Sequence, residues 1–323
     1  LRTNINHAMD IHGGKTVMLG QRNYLSDIYQ VVPIAITVEG ANILTRSMII
    51  FGQGLMRCHP FLKEELESLE KKDTVLFNRL LGHHLAHIIG VKIKSFVFAI
   101  SGGRLAKIPK GVKGFEKNNY QQLATLSASF AFLVEIVLMK FGPKIKFQES
   151  VNGLFSDLLI KMYSISVLLK YRQVLDNDFN DLIRWSVQRQ VHESQVLLSD
   201  ICGQLNFSLV FRWIVLPRGV NQPLPSVKLQ NKVVNQLINN SNLKDTLTSD
   251  VLYAKDSTLD ILDQAYTLAV EAEKVYKRVG YVDSYVAIDA LLDKQQINID
   301  EHQLLSRLTE LRRKILAVDD YEH

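Results

Sequence analysis

The sequence predicts an all-α chain, and three observations carry that prediction. Apolar residues recur at spacings of three and four through most of the 323 residues, the period of helices with one buried face. No stretch sustains an apolar–polar alternation between turn-forming pairs, so no hairpin is expected. Breaks fall at proline and glycine clusters, notably Cys58-His59-Pro60, Ser101-Gly102-Gly103, Lys107 to Gly114 and Asn221 to Pro225, which divide the periodic runs.

Leu1 to Met9 reads as the end of a helix. It leads into Asp10-Ile11-His12-Gly13-Gly14-Lys15, where paired glycines let the backbone take positive φ and approach a ligand with no Cβ in the way. The apolar run Ile34 to Val38 ends in Glu39-Gly40-Ala41-Asn42. A carboxylate placed there is costly to bury without a task or a partner. From Asn42 a helix is expected, with Ile43, Leu44, Ser47, Met48, Phe51 and Leu55 on one face and Arg46, Gln53 and Arg57 on the other. Pro60 ends it, because proline drives the residue before it out of the α region. The expected domain boundary therefore lies there, with residues 1–60 before it and 61–323 after.

Leu62, Leu66, Leu69, Leu76 and Leu80 continue the helical spacing, with Glu64, Glu65, Glu67, Lys71 and Lys72 on the opposite side. A further helix is expected roughly from His84 to Ile100, punctuated by Gly90. The segment Lys107 to Gly114 is a basic loop. Leu123 to Phe141 is the most apolar run, close to the ~20 residues that cross a bilayer. Its Glu135, Lys140 and the hydroxyls of Thr125, Ser127 and Ser129 make a buried bundle helix the expectation, and no second run of similar apolarity stands out. Ser150 to Lys170 is a helix with Leu154, Phe155, Leu158, Leu159, Met162 and Leu169 inward. Asp178 to Leu205 is helical and more polar, and Leu209 to Leu216 stops at Pro217. Beyond the extended linker, Leu259, Leu262, Tyr266, Ala269, Ala272 and Tyr276 mark one helix, and Leu304, Leu308, Leu311 and Ile315 mark the last.

A net charge of +5 without a long basic block gives a mild attraction to acidic partners such as membrane surfaces or phosphorylated ligands, and does not describe a nucleic-acid binder. Cys58 and Cys202 lack metal or redox spacing, which suits a reducing compartment. His83 and His87 share a helix face, but no nearby glutamate stands in zincin position and no third ligand is evident, so no metal is expected. The chain has no initiator methionine and no signal-peptide pattern; a C-terminal piece of a longer protein is the expectation.

The order of paired glycines, polar link, apolar run, Glu-Gly and amphipathic helix resembles the C-terminal part of the acyl-CoA dehydrogenase family. The wording PIAITVEGANILTRSMIIFGQGLMRCHPF is similar, more narrowly, to large bacterial fatty acyl-CoA dehydrogenases with an extra helical C-terminal domain. Phe211-Arg212-Trp213-Ile214-Val215-Leu216-Pro217-Arg218-Gly219 and Ala317-Val318-Asp319-Asp320-Tyr321 agree with it. The resemblance implies the end of the acyl-CoA dehydrogenase C-terminal helical bundle over 1–60 and an additional helical domain over 61–323. It implies FAD as cofactor and α,β-dehydrogenation of fatty acyl-CoA thioesters to trans-2-enoyl-CoA in fatty-acid β-oxidation. Glu39 would be the catalytic base and Gly40 a substrate contact. Gly13, Gly14, Ala41 and Asn42 would lie at the cofactor, with Arg46 a secondary contact; Ala41 lacks the hydroxyl of the family's commoner Glu-Gly-Thr. Implied partners are an electron-transfer flavoprotein or similar acceptor and further copies of the chain in a homo-oligomer. The implied location is the bacterial cytoplasm; separately, the apolar run and the basic loop of Lys107, Lys110, Lys113 and Lys117 suggest a peripheral contact at the inner membrane, against a soluble bundle whose lysines are simply solvated. An acyl-CoA oxidase, and a non-catalytic helical module for dimerisation or membrane-surface docking, remain the alternatives.

Overall fold

The computed structural model describes residues 2–20, 22–37, 44–175, 177–206, 209–252 and 254–318, and all regular structure among them is helical. α1 (Arg2–His12) and α2 (Tyr24–Val31) are each followed by a short 3-10 segment, Gly13–Val17 and Val32–Ile36. A π-helix, Thr45–Gln53, runs directly into α3 (Gly54–Cys58), and α4 (Leu62–Glu70) follows. The long helices α5 (Thr74–Ser101), α6 (Gly114–Phe141), α7 (Glu149–Tyr171) and α8 (Asn180–Gln204) come next. After them stand α9 (Leu209–Val215), α10 (Val227–Asn239), α11 (Ser241–Thr248), α12 (Thr258–Val279), α13 (Tyr285–Asp293) and α14 (Ile299–Leu316).

Packing groups the chain into two units, residues 40–249 and residues 1–39 with 250–323. This is a grouping by contact, whereas the division expected at residue 60 rests on the helix break at Pro60. In the larger unit α6, α7 and α8 share the core. Leu133 and Val137 meet Phe155, Leu158, Ile165 and Leu169, with Val187, Leu198 and Ile201 completing it, all at most 1% exposed. Full burial of one such side chain is worth about 1.5–3 kcal/mol. In the other unit Ala265, Ala272 and Val275 of α12 pack on Leu305, Leu308 and Leu311 of α14 and on Ile288 of α13. The segment between α1 and α2 joins this unit through Arg22, which donates to the carbonyls of Lys314 and Ala317, and through Lys15, which donates to that of Ile315.

Several helix starts are written in side chains: Asp73, Ser226, Asn240 and Ser257 each accept the N–H three residues on, satisfying a donor that the helix leaves open. At Asn298 a reciprocal capping box with Glu301 opens α14.

The structure departs from the sequence reading at identifiable places. The leucine run from residue 62 is broken in two, because Lys72 takes φ +57° and Asp73 caps a new helix; α5 then continues unbroken through Gly90. In α4 the inward positions are Glu65 and Ser68, while Leu66 and Leu69 are exposed. The helix expected from Asn42 is a π-helix over Thr45–Gln53, whose wider turn buries Ser47, Phe51 and Gly52 and leaves Leu44 and Met48 exposed. Leu159 of α7 is also exposed. Among the described residues, three helical stretches are long and apolar enough to cross a bilayer: α5 (mean hydropathy 1.3), Gly114–Phe147 (1.8) and α7 (1.2). The apolar run in α6 therefore has company, and α5 is the least buried of the three.

Candidate functional site

His59 leaves α3 with extended backbone (φ −67°, ψ 133°), as the residue before Pro60 must. That turn brings its ring back over the start of α4, where Nδ1 accepts the N–H groups of Phe61 and Leu62, both at 3.2 Å. Because α4 has no other side-chain cap, the imidazole stands in for one. Its Nε2 points the other way, 3.0 Å from Glu135 Oε1.

Glu135 lies on the apolar stretch of α6 with its side chain 3% exposed. It is held by three rings: besides His59, His84 Nε2 lies 3.1 Å from Oε2 and His87 Nε2 lies 3.4 Å from Oε1. His84 Nδ1 meets Glu65 Oε1 at 2.8 Å, so a buried histidine bridges carboxylates of α4 and α6. The Phe61 ring stacks on His84 with centroids 5.1 Å apart. Burial pushes the Glu135 carboxyl up, while hydrogen bonds from His59 and His84 and the charge on those rings pull it down, and the net position is below the ordinary carboxylate value. Ligand atoms of His59, His84 and Glu135 all lie within 4.8 Å of one another.

Beside the cluster lies a cavity of ≈ 440 Å³. Phe51 and Leu55, from the π-helix and α3, and Phe130 and Val134 of α6 make it apolar, while His59, His87 and Glu135 supply its polar end.

Among the residues singled out from sequence, Gly13 and Gly14 open the 3-10 segment after α1, Gly13 with φ +66°. Glu39, Gly40, Ala41 and Asn42 lie outside the described residues. Arg46 is engaged by Asp157, with Nε–Oδ1 at 2.6 Å and Nη2–Oδ2 at 2.5 Å, and the Ser156 hydroxyl donates to its carbonyl. His83 is exposed; its neighbour His84 is the buried ring. Sequence reasoning missed the partners of that ring. Glu65 reads as one more charge on a solvated face, and His59 as part of a helix break. The available signal was Glu135, a lone acid in the most apolar run, which needs a partner on its own account.

A family model described as acyl-CoA dehydrogenase, C-terminal, bacterial type, matches residues 56–321. The chain belongs to this family. No solved structure matches it. The matched part of this acyl-CoA dehydrogenase C-terminal domain takes in His59, Glu65, His84, His87 and Glu135 and begins after Glu39. The all-α architecture agrees with the family.

Proposed function

We propose that this chain is the base-bearing C-terminal part of an FAD-dependent acyl-CoA dehydrogenase that converts fatty acyl-CoA to trans-2-enoyl-CoA in β-oxidation. The observation that carries the reading is the family match over 56–321, immediately downstream of Glu39-Gly40 in the order quoted above. The glycine pair fits a cofactor contact: a Cβ added at Gly13 or Gly14 would meet no atom within 4 Å, leaving both backbones clear for a planar ring. FAD, when bound, supplies the acceptor for the hydride that leaves Cβ of the substrate. The Glu39 carboxylate takes the proton from Cα, and its backbone N–H holds the thioester oxygen where negative charge develops. Gly40 leaves room for the substrate against the chain, and Ala41 and Asn42 adjoin the cofactor.

Anaerobic addition of a fatty acyl-CoA to the full-length flavoprotein tests the reading through bleaching of the flavin absorbance. A flavin that stays oxidised rejects it. Reoxidation by an electron-transfer flavoprotein separates a dehydrogenase from an acyl-CoA oxidase, which would return peroxide in air.

A second reading, docking on the inner membrane from the cytoplasmic side, is favoured by α5. Leu85, Ile89 and Ile93 recur along it at four-residue spacing and are each more than half exposed. Residues 91–117 carry seven lysines and arginines against one glutamate, a net of +6 compared with +5 for the entire chain. Binding to anionic vesicles that salt reverses supports this reading. Absence of binding at low salt excludes it.

A further inference from the structure

A second cavity, lined by α7, α8 and the chain leading into α10, has a volume of ≈ 670 Å³, within the roughly 300–1,000 Å³ of small-molecule sites. One wall is a stretch of linker tied down more firmly than a connection requires. Gln195 of α8 is buried; its Oε1 accepts the N–H groups of Asn221 and Gln222 and its Nε2 donates to Asn221 Oδ1, all at 3.0 Å. His192 Nδ1 donates to the Gln222 carbonyl at 2.6 Å, and Gln230 Nε2 donates to that of Pro225 at 3.2 Å. These bonds present Leu224 and Pro225 to a cavity that Ile160, Trp185 and Val196 also line. Leu224 is 55% exposed and no part of the core, so holding it there serves the cavity rather than the packing.

The charged side of the cavity carries one cation in excess. Lys161 Nζ and Arg189 Nε share a single carboxylate, Glu193, at 2.5 and 2.8 Å, while the lining Asp157 is already paired with Arg46. Arg189 lies over the Trp185 ring, 5.5 Å from its centroid, which steadies the plane of the guanidinium. Its Nε is spent on Glu193, and among the described residues no acceptor meets its terminal Nη groups.

We propose that this cavity binds an apolar monocarboxylate of medium-chain fatty-acid size, with its carboxylate on the Nη edge of Arg189 and its hydrocarbon against Ile160, Val196, Leu224 and Pro225. Two parallel N–H groups of a guanidinium match the two oxygens of a carboxylate. One excess positive charge balances one negative head group, whereas a phosphate dianion would leave a charge unmatched. The hydrocarbon takes Leu224 and its neighbours out of water, which adds a driving force that an exposed ion pair alone lacks. Every lining residue lies within 157–230, so the site uses neither Glu39 nor a thioester.

The test is calorimetric titration of the full-length protein with decanoate, kept below its micellar concentration. One saturable site per chain is expected. Arg189→Gln and Leu224→Asp, both at exposed positions, should each weaken it about tenfold or more, with thermal melts confirming that the variants fold. Decanol, which has the chain without the charge, and acetate, which has the charge without the chain, should each bind about tenfold or more weakly than decanoate. Absence of saturable uptake by the folded wild type would overturn the proposal. Decanol binding as tightly as decanoate would overturn it in favour of a merely apolar cavity, and acetate doing so in favour of a surface anion site. Full affinity retained in Arg189→Gln would place the acid elsewhere on the chain, and displacement of decanoate by decanoyl-CoA would place it in the acyl site of the proposed dehydrogenase; either result overturns the assignment.

Discussion

Glu65 Oε1 and His84 Nδ1 meet at 2.8 Å across the packing of α4 on α5, and this one contact turns α4 over. A helix obeying its leucines would bury Leu66 and Leu69. Here both face solvent, because the inward positions are spent on Glu65 and on Ser68, whose hydroxyl donates to the Glu65 carbonyl. Glu65→Leu is therefore expected to destabilise the chain although it adds apolar surface. Stranding a buried polar partner costs about 1–3 kcal/mol, and more where it is charged. Glu135→Leu, which strands His59 and His84 together, should cost about 3–5 kcal/mol. Urea midpoints at unchanged m-value measure both, and a neutral or stabilised Glu135→Leu variant would show that the rings do not depend on the acid.

Gly103 sets how closely the end of α5 approaches α6. An added Cβ would lie 2.2 Å from the Gln121 carbonyl oxygen and 2.8 Å from Thr125 Oγ1, at φ +74°. Gly103→Ala should lose roughly 2–4 kcal/mol, from overpacking together with left-handed backbone. Gly90, within α5 with open space around it, is the counterpart: Gly90→Ala should gain about 0.5–1 kcal/mol. Thermal melts of the pair should move in opposite directions.

The two thiols should separate by reactivity. Cys58 is exposed, whereas Cys202 is buried and its pKa is pushed up to about 11, chiefly by desolvation. At pH 8 a thiol-specific chromophoric reagent should titrate one cysteine rapidly in the native protein and both in denaturant, since the thiolate is the nucleophile. Two fast native thiols would contradict the burial of Cys202.

Much of the fold was legible because it rests on periodicity. The burial of Phe155, Leu158, Met162 and Leu169 in α7 and of Leu308, Leu311 and Ile315 in α14 follows from spacing alone. The more polar reading of α8 missed that Ile183, Val187, Val191, Leu198 and Ile201 bury one continuous face, since amides and charges cover the rest. The histidine–glutamate cluster was not legible. His59, Glu65, His84 and Glu135 come from four separate segments, and no local pattern announces which histidine of the pair His83-His84 turns inward. That choice belongs to the rotation of α5 against α6, a tertiary quantity.

Glu193 stands between Lys161 Nζ at 2.5 Å and Arg189 Nε at 2.8 Å. Burial raises its carboxyl, but hydrogen bonds and charge from Arg189 and Lys161 outweigh it, so its folded pKa lies below the usual 4.5. A depressed carboxylate stabilises the fold above the unfolded value and loses that contribution as pH falls through the folded one. Glu193→Gln should accordingly cost up to about 1 kcal/mol at pH 7, given the partial exposure of all three groups. The gap from wild type should close as pH drops below 4.5; a gap that widens in acid would reverse the assignment.

On the proposed function, Glu39→Gln in the full-length protein should leave flavin bound and retain less than a tenth of wild-type turnover, a barrier increase above about 1.4 kcal/mol. Steady-state rates and the visible spectrum give the two readouts. Higher retained activity would remove Glu39 as the base.

The π-helix of Thr45–Gln53 makes chain length, rather than composition, the guarded quantity in this stretch. A π turn closes on the fifth residue where an α turn closes on the fourth, so it holds a residue that an α-helix would have no place for. Deleting one residue there would let the segment wind down to an α-helix and change which of its side chains face inward. Phe51, whose ring stacks on that of Phe155 with centroids 4.5 Å apart, is the contact most exposed to such a change. A one-residue deletion within these nine residues should therefore destabilise the chain more than a conservative substitution at any one of them.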